Sequence, residues 1–198
     1  MTTAAPELVL ASTSTYRREL LARLGLGFRT LAPDVDETPR AGEMPRALAT
    51  RLAAAKAHAV AERAANALVV GSDQVAELDG RALGKPGTAA AAAAQLAASS
   101  GRAVVFHTAL CVVDTRVEPW RAAAHCDETT VAFRRLGSDE IERYVAADRP
   151  LDCAGGFKVE RLGVALFERI DSADPTALIG LPLIALARLL REAGVALP

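Results

Sequence analysis

Two oppositely charged residues, Asp73 and Lys85, lie twelve positions apart in the stretch from Leu68 to Pro86. An apolar run rich in β-branched residues comes first, which predicts a buried strand that ends at Asp73. A Leu-Asp-Gly turn follows, and Lys85 then stands between a glycine and a proline. Because a carboxylate that enters an apolar environment needs a partner or a metal, Asp73 is a candidate functional residue. The alternative is that Asp73 and Asp79 are turn residues and Lys85 is solvated.

A second candidate site lies where the first predicted strand meets the first predicted helix. Glu7 to Ala11 predicts a short buried strand, and Tyr16 to Gly25 has helical leucine spacing with a glycine stop. The hydroxyl-rich turn from Ser12 to Thr15 joins them, and the free N–H groups of a helix start favour an anion. Arg17 in the first helical turn faces either solvent or that anion. A serine of the turn is otherwise only a helix cap.

Two further charged positions suit a phosphate or a metal ion. Residues 34–37 contain three acidic side chains, Glu37 among them, after a predicted strand from Phe28 to Leu31. They form either a solvated turn or oxygen ligands for Mg²⁺, which needs only one or two protein carboxylates when substrate phosphates supply the rest. Lys56 falls on the apolar flank of a helix predicted from Pro45 to Asn66. Its ammonium either reaches back to solvent or points into a cleft toward a phosphate.

The elements that must position these residues alternate between strand and helix patterns, which predicts an α/β protein with a sheet of mixed direction. We expect one domain over residues 1–198. The remaining expected strands are 104–113, 122–125, 129–133 and 162–170, the remaining helices are 88–99, 138–147 and 183–193, and a glycine-bearing loop spans 148–160. Ser138 to Glu140 is expected to cap the helix that it begins.

The composition restricts the class of protein. The chain has 198 residues and a formal net charge of -1, so no basic face for nucleic acid is expected. Three cysteines without a C-x-x-C pair argue against a disulfide framework or a zinc site and fit a reducing compartment. The first eleven residues show no signal peptide, and the most apolar tract, 177–190, is too short to span a bilayer. We expect a cytoplasmic protein without a membrane partner.

Seven short motifs follow one another along nearly the whole chain. They are Ala11-Ser12-Thr13-Ser14 running to Arg17-Arg18, Val35-Asp36-Glu37, Arg51-Leu52-Ala53 running to Lys56-Ala57, Gly71-Ser72-Asp73-Gln74-Val75, Gly84-Lys85-Pro86, Cys153-Ala154-Gly155 running to Phe157-Lys158, and Ile179-Gly180-Leu181-Pro182-Leu183. In this order they resemble the Maf family of nucleotide pyrophosphatases. Ser-Asp-Gln resembles its 7-methyl-GTP branch, whereas the dTTP/UTP branch has Ala-Asp-Thr.

The resemblance implies an inosine-triphosphatase-like fold, with a long mixed twisted sheet flanked by helices and a central cleft between two lobes. It also implies hydrolysis of a nucleoside triphosphate to the monophosphate and pyrophosphate with a divalent cation such as Mg²⁺, Mn²⁺ or Co²⁺. A homodimer is a further expectation of the family.

Roles for individual residues follow from this resemblance. Asp73 becomes the candidate general base that activates the attacking water, and it shares the metal with Glu37. The phosphate-binding residues become Ser12, Arg17, Lys56 and Lys85. The residues that select the base become Tyr16, Gln74 and Lys158, of which Tyr16 offers an aromatic face to a cationic methylated guanine.

Two positions depart from this branch: Tyr16 stands where tryptophan is frequent, and Arg161 stands where glycine is common. Three other functions stay open. One is a nucleotide-binding regulator of cell division that acts through a protein partner, another is a dTTP/UTP-type pyrophosphatase, and the third is a housekeeping pyrophosphatase with broad tolerance for modified nucleotides.

Overall fold

The computed structural model describes residues 6–198. Residues 1–5, on which the expectation of no signal peptide partly rests, lie outside the described residues. The strands are β1 (Glu7–Ala11), β2 (Arg29–Leu31), β3 (Ala67–Leu78), β4 (Arg81–Leu83), β5 (Ala103–Asp114), β6 (Arg121–Phe133) and β7 (Phe167–Ser172). The α-helices are α1 (Thr15–Ala22), α2 (Pro45–Ala61), α3 (Ala89–Ser99), α4 (Ser138–Asp148) and α5 (Leu183–Glu192), and short 3-10 turns cover Ala154–Gly156, Leu162–Leu166 and Ala177–Ile179.

The seven strands form one mixed sheet in the order β2-β1-β3-β5-β6-β7, and β4 pairs with β3 beside this path. β1 is parallel to β2 and β3, whereas each neighbouring pair along β3, β5, β6 and β7 is antiparallel. A sheet of mixed direction was expected from the sequence, and it is confirmed. Among residues 6–198 there is no helix long and apolar enough to cross a membrane.

The core is divided along the long central strands, which gives the expected two lobes. In the first lobe, α5 packs on one face of the sheet around Leu10 and Leu186, and α2 packs on the other face around Val69. In the second lobe, α3 and α4 pack around Phe106 and Phe133. β3 and β5 contribute buried residues to both lobes, so the cleft between the lobes lies over these two strands.

Helix α2 lies unusually close to β3 at Gly71. A Cβ atom at this position would lie 2.3 Å from the carbonyl oxygen of Ala53 and 2.5 Å from the backbone nitrogen of Ala57. Only a glycine on the strand and alanines on the helix allow this approach, because any larger side chain would occupy the space that the two backbones share. The close approach places the turn of α2 from Ala53 to Ala57, which carries Lys56, directly over β3.

Several expectations about individual elements were wrong. Asp73 does not end its strand, since β3 continues to Leu78. The two strands expected at 122–125 and 129–133 are one strand, β6. The strand expected at 162–170 begins only at Phe167, because 3-10 turns precede it. Helix α2 ends at Ala61 rather than near Asn66.

The start of α4 also differs from the expectation. Gly137 is the residue that precedes the helix, and no side chain caps it by a hydrogen bond. Ser138 is the first helical residue instead, and Asp139 and Glu140 lie in the first turn, where a negative charge interacts favourably with the helix dipole.

Candidate active site

A cavity of about 640 Å³ lies between the two lobes, where one edge of β3 has no strand beside it. β1 pairs with β3 as far as Gly71, and β4 pairs with it only from Ala76 onward. Among the described residues, no strand pairs with this edge at residues 72–75. Side chains from both faces of β3 therefore reach the same space, because successive residues of a strand point to opposite faces.

Eight of the nine site residues predicted from the sequence line this cavity. They are Ser12, Tyr16, Arg17, Glu37, Lys56, Asp73, Gln74 and Lys85. The ninth, Lys158, does not line it, although its neighbours Phe157 and Val159 do. The residues come from five separate parts of the chain, and the fold brings them together around the open edge of β3.

A cluster of ion pairs, two of whose three members are buried, lines one part of the cavity. The Nζ atom of Lys56 lies 2.6 Å from Oδ1 of Asp73 and 2.7 Å from Oε1 of Glu37. Lys56 is 5% exposed and Asp73 is 7% exposed, whereas Glu37 is exposed. Burial raises the pKa of Glu37, but the hydrogen bond and charge of Lys56, together with Lys85 and Arg17, outweigh it and lower this pKa below its ordinary value. Lys56 therefore points into the cleft, and it does not extend to solvent.

The cluster explains how a mid-strand aspartate is tolerated inside the protein. An unpaired buried carboxylate is costly, and an ammonium at hydrogen-bonding distance compensates for much of that cost. Lys56 can reach Asp73 because α2 approaches β3 so closely at Gly71. The Nζ atom of Lys56 on α2 thus contacts both Asp73 on β3 and Glu37 in the acidic loop.

Arg17 approaches the same cluster from the start of α1. Its Nε atom donates a hydrogen bond to the carbonyl oxygen of Gly180 at 2.9 Å. Burial lowers the pKa of Arg17, and the charges of Asp73 and Glu37 oppose this shift. Since a guanidinium stays protonated in proteins, Arg17 is a fixed positive charge beside the two carboxylates.

The turn before α1 supplies hydrogen-bonding groups at the same end of the cavity. Ser14 caps the helix by accepting a hydrogen bond from the backbone nitrogen of Arg17 at 3.4 Å. Ser12 Oγ accepts from the backbone nitrogen of Ser14 at 3.1 Å, and its hydroxyl hydrogen is left for another acceptor. Ser14 is therefore the helix cap, and the hydroxyl of Ser12 can donate to a group bound in the cavity.

The donor set suits a divalent cation only if a ligand contributes to it. Among residues 6–198 there is no group of three or more His, Cys, Asp or Glu side chains that could hold a metal ion. Glu37 and Asp73 are nevertheless close enough to share one cation, since both contact Lys56 Nζ. Two carboxylates fit Mg²⁺ when phosphate oxygens and water complete its shell.

Gln74 lies on the opposite face of β3 from Asp73, and its amide nitrogen is already engaged. Nε2 lies 3.0 Å from the carbonyl oxygens of Ala177 and Leu178 and 2.9 Å from Oγ1 of Thr108. Because carbonyl oxygens only accept hydrogen bonds, the amide atom of Gln74 that faces them is the nitrogen. Gln74 can therefore offer a ligand its carbonyl oxygen, which accepts but does not donate hydrogen bonds.

The far end of the cavity is acidic and aromatic. Tyr16 lies beside Lys158, whose Nζ atom is 3.5 Å from Oδ1 of Asp152. Burial raises the pKa of the Tyr16 hydroxyl, and the charge of Lys158 opposes this. Asp152 and Glu160 line the cavity here, and burial raises the pKa of Glu160.

Sequence reasoning missed Glu160 and the interactions that hold Glu37 in place. Glu160 follows Lys158 by two positions, and no local sequence pattern indicates that Glu160 rather than Lys158 lines the cavity. Arg51 donates to Glu43 through Nε at 2.6 Å and Nη2 at 2.8 Å, and it also donates to the carbonyl oxygen of Thr38 at 3.1 Å. The motif around Arg51 was noticed in the sequence, but its role as a brace for the acidic loop was not.

Comparison with known proteins gives three findings. The model of the Maf-like protein family matches residues 7–193. The chain is 62% identical over 193 residues to the 7-methyl-GTP pyrophosphatase of Xanthomonas oryzae pv. oryzae strain MAFF 311018, which covers 98% of this chain and 100% of that protein. It is 56% identical over 194 residues to the 7-methyl-GTP pyrophosphatase of Aromatoleum aromaticum, which covers 97% of this chain and 98% of the relative.

A solved structure of lower sequence similarity has the same fold. The Staphylococcus aureus Ham1 protein superposes with a TM-score of 0.50 at 18% identity and covers 94% of this chain and 99% of its own. The expected inosine-triphosphatase-like architecture is confirmed by this likeness, which concerns the fold alone.

Proposed function

Because the chain belongs to the Maf family, we propose that it is a nucleoside triphosphate pyrophosphatase whose preferred substrate is 7-methyl-GTP. The single observation that carries this proposal is the cluster of Asp73, Lys56 and Glu37 in a cavity with a basic end and an acidic end. The triphosphate binds at the basic end and the base at the acidic end. Water then cleaves the bond that releases pyrophosphate from the nucleoside monophosphate.

The basic end suits the triphosphate because three cations converge there. Arg17, Lys56 and Lys85 line the cavity on the side of Asp73. Charge-assisted hydrogen bonds from these groups neutralise phosphate oxygens, and Ser12 adds a hydroxyl donor. Lys56 exchanges a carboxylate partner for a phosphate oxygen when the substrate enters, which frees Glu37.

Asp73 acts as the general base in this proposal. One of its oxygens, Oδ1, is held by Lys56, and the other is left to accept a proton from the attacking water. The water oxygen forms a new bond to phosphorus, the bond to the bridging oxygen breaks, and that oxygen leaves with the pyrophosphate. A positioned base of this kind contributes about 10²- to 10⁴-fold to the rate.

A divalent cation would be held by Glu37 and Asp73 together with oxygens of the substrate. When bound, it would neutralise developing negative charge on the phosphates. Arg51 supports this role, because it lies on α2 and donates both to Glu43 and to the carbonyl oxygen of Thr38, the residue after Glu37.

The acidic end favours a cationic base over a neutral one. The ring of 7-methylguanine, which carries a delocalised positive charge, stacks against the face of Tyr16. Asp152 and Glu160 together outweigh the charge of Lys158, which pairs with Asp152, and attract this ring. The guanine edge also presents N–H donors, and the carbonyl oxygen of Gln74 can accept from them. Thymine and uracil lack the positive charge, so the same groups discriminate against dTTP and UTP.

The test is pyrophosphate release from a panel of 7-methyl-GTP, GTP, dTTP, UTP and CTP with Mg²⁺, Mn²⁺ or Co²⁺. The wild type should prefer 7-methyl-GTP, and Asp73→Asn should lower kcat by roughly 10²-fold or more. Asp79→Asn is the matched control, because it makes the same change in an exposed turn outside the cavity.

Three outcomes would count against the proposal. Retention of activity in Asp73→Asn would remove the proposed base. A preference for dTTP or UTP would reassign the chain to the other branch of substrates. Absence of turnover with every nucleotide would support the alternative that the chain is a nucleotide-binding protein without hydrolytic activity.

A further inference from the structure

The chain from Lys158 to Gly163 folds back on itself next to the acidic end of the cavity; we call it the base-end turn. The carbonyl oxygen of Lys158 accepts hydrogen bonds from the backbone nitrogens of Arg161 at 3.2 Å and Gly163 at 3.0 Å. A Cβ atom at Gly163 would lie 2.4 Å from that carbonyl oxygen, so only glycine allows the turn to close. Val159 and Glu160 of this turn line the cavity.

One side chain from outside the turn fixes its first residue. The hydroxyl of Tyr144 on α4 accepts a hydrogen bond from the backbone nitrogen of Lys158 at 3.0 Å. Tyr144 is 6% exposed, and its ring packs in the core of the second lobe. Both backbone groups of Lys158 are therefore satisfied, the carbonyl within the turn and the N–H by Tyr144.

A buried carboxylate lies one helical turn from Tyr144. The side chain of Asp148 is fully buried, and neither of its oxygens has a hydrogen bond of good geometry among the described residues. Its one ion-pair partner among them is Arg161, whose Nε atom lies 3.0 Å from Oδ1 and belongs to the base-end turn. Burial is the main cause that raises the pKa of the Tyr144 hydroxyl, and the nearby Asp148 carboxylate raises it further. The hydrogen bond that the Lys158 N–H donates to this hydroxyl opposes the shift.

These contacts tie α4 to the base-end turn at two points. A buried charge such as that of Asp148 lowers the stability of the protein. Neither Tyr144 nor Asp148 lines the cavity. Arg161 forms the second of these contacts through its ion pair with Asp148. We propose that Tyr144 and Asp148 are positioning residues that hold the base-end turn in the geometry needed to select the nucleobase. This inference rests on the proposed function.

The test is Tyr144→Phe, which keeps the ring in the core and removes only the hydroxyl. KM for 7-methyl-GTP should rise by roughly tenfold, the effect of one lost hydrogen bond, while kcat changes by less than about twofold. Inhibition by inorganic pyrophosphate should be unchanged, because pyrophosphate occupies only the basic end of the cavity, which we call the phosphate end. Nucleotides are separated by chromatography so that added pyrophosphate does not disturb the assay.

Hydrogen exchange provides a readout that does not depend on turnover. In Tyr144→Phe the amide of Lys158 loses its acceptor, so exchange in the base-end turn should accelerate by roughly tenfold or more, while α2 and β3 keep their protection. Asp148→Asn keeps the shape and removes the charge, and it should produce a smaller effect in the same direction. It also serves as the second variant if Tyr144→Phe fails to fold.

Thr115→Val is the matched control, because it also removes a buried hydroxyl, one that bonds to Ala64 and Ala67 far from the cavity. It should lower the melting temperature and leave KM unchanged. The proposal is overturned if Tyr144→Phe leaves both KM and exchange unchanged, or if it weakens pyrophosphate as much as 7-methyl-GTP. A wild type without hydrolytic activity would refute the proposed function instead, and exchange would still decide whether Tyr144 holds the turn.

Discussion

Replacing Gly71 with alanine should separate Lys56 from Asp73 without changing either residue. The new Cβ would lie 2.3 Å from the carbonyl oxygen of Ala53 and 2.5 Å from the nitrogen of Ala57. Both are backbone atoms, so no side-chain rotation can relieve the overlap. Since an ordinary contact needs about 3.5 Å, α2 must move away from β3 by roughly 1 Å.

That displacement is large compared with the tolerance of the cluster of ion pairs. Lys56 Nζ lies 2.6 Å from Asp73 Oδ1, and a further ångström would take the pair beyond hydrogen-bonding distance. Overpacking of this kind costs about 1–3 kcal/mol of the free energy of unfolding. A misplacement of about 1 Å in a catalytic group lowers the rate by roughly 10²-fold.

The assay is kcat for 7-methyl-GTP together with unfolding in urea. Gly71→Ala should lower both quantities, and Gly27→Ala should lower neither, because a Cβ at Gly27 would meet nothing within 4 Å. If Gly71→Ala is as stable and as active as the wild type, the reasoning that α2 holds Lys56 over Asp73 is refuted. If stability falls and kcat does not, Lys56 has no positioning role in the reaction.

Two further predictions concern the charges around the cavity. Lys56→Met should destabilise the protein by about 3 kcal/mol at pH 7, because the buried Asp73 carboxylate loses its hydrogen-bonded cation and keeps only the nearby charge of Arg17. Asp73→Asn in the same chain should restore most of the loss in urea unfolding, and a double variant no more stable than Lys56→Met contradicts this. The pKa of Glu43 is lowered to about 2, mainly by the hydrogen bond from Arg51. The ionised Glu43 carboxylate therefore contributes fully to stability above its ordinary pKa near 4.5, and this contribution is lost as the pH falls toward 2. The difference in unfolding free energy between wild type and Glu43→Gln should therefore disappear in this range, and a difference independent of pH would show that the contact with Arg51 is not electrostatic.

The fold was predictable because its elements carry strong local patterns. The helical spacing of leucines in α1 and α5 and the apolar runs of β1, β3 and β5 identified these elements, and the order of motifs identified the architecture. The predicted residues of the phosphate end were also brought together, since Ser12, Arg17, Lys56, Asp73 and Lys85 line one cavity. Their roles in binding and catalysis stay predictions.

The errors arose where tertiary structure decides the local conformation. β3 continues beyond Asp73 because a second partner, β4, takes over its edge at Ala76. The Leu-Asp-Gly turn marks the hairpin between these two strands, but it does not show that the strand runs through Asp73. The apolar segment before Phe167 has the composition of a strand, yet the tight turn at Gly163 forces 3-10 geometry. Tyr144 is a core residue by its helical spacing, and only its contact with Lys158 reveals more.

The pairing of Lys56 with Asp73 and Glu37 bears on how readily the protein could cycle between ligand-free and ligand-bound states. The three cations of the phosphate end face two carboxylates, so the ligand-free cleft carries a net charge of about one, in a chain whose own net charge is -1. In the proposed reaction a phosphate chain must displace an internal salt bridge before it is held, which removes part of the attraction that it would otherwise gain. Departure of pyrophosphate would restore that salt bridge, so we expect the pair that opposes binding of the substrate to favour release of the product. Weak long-range attraction also means that the association rate should change little with ionic strength.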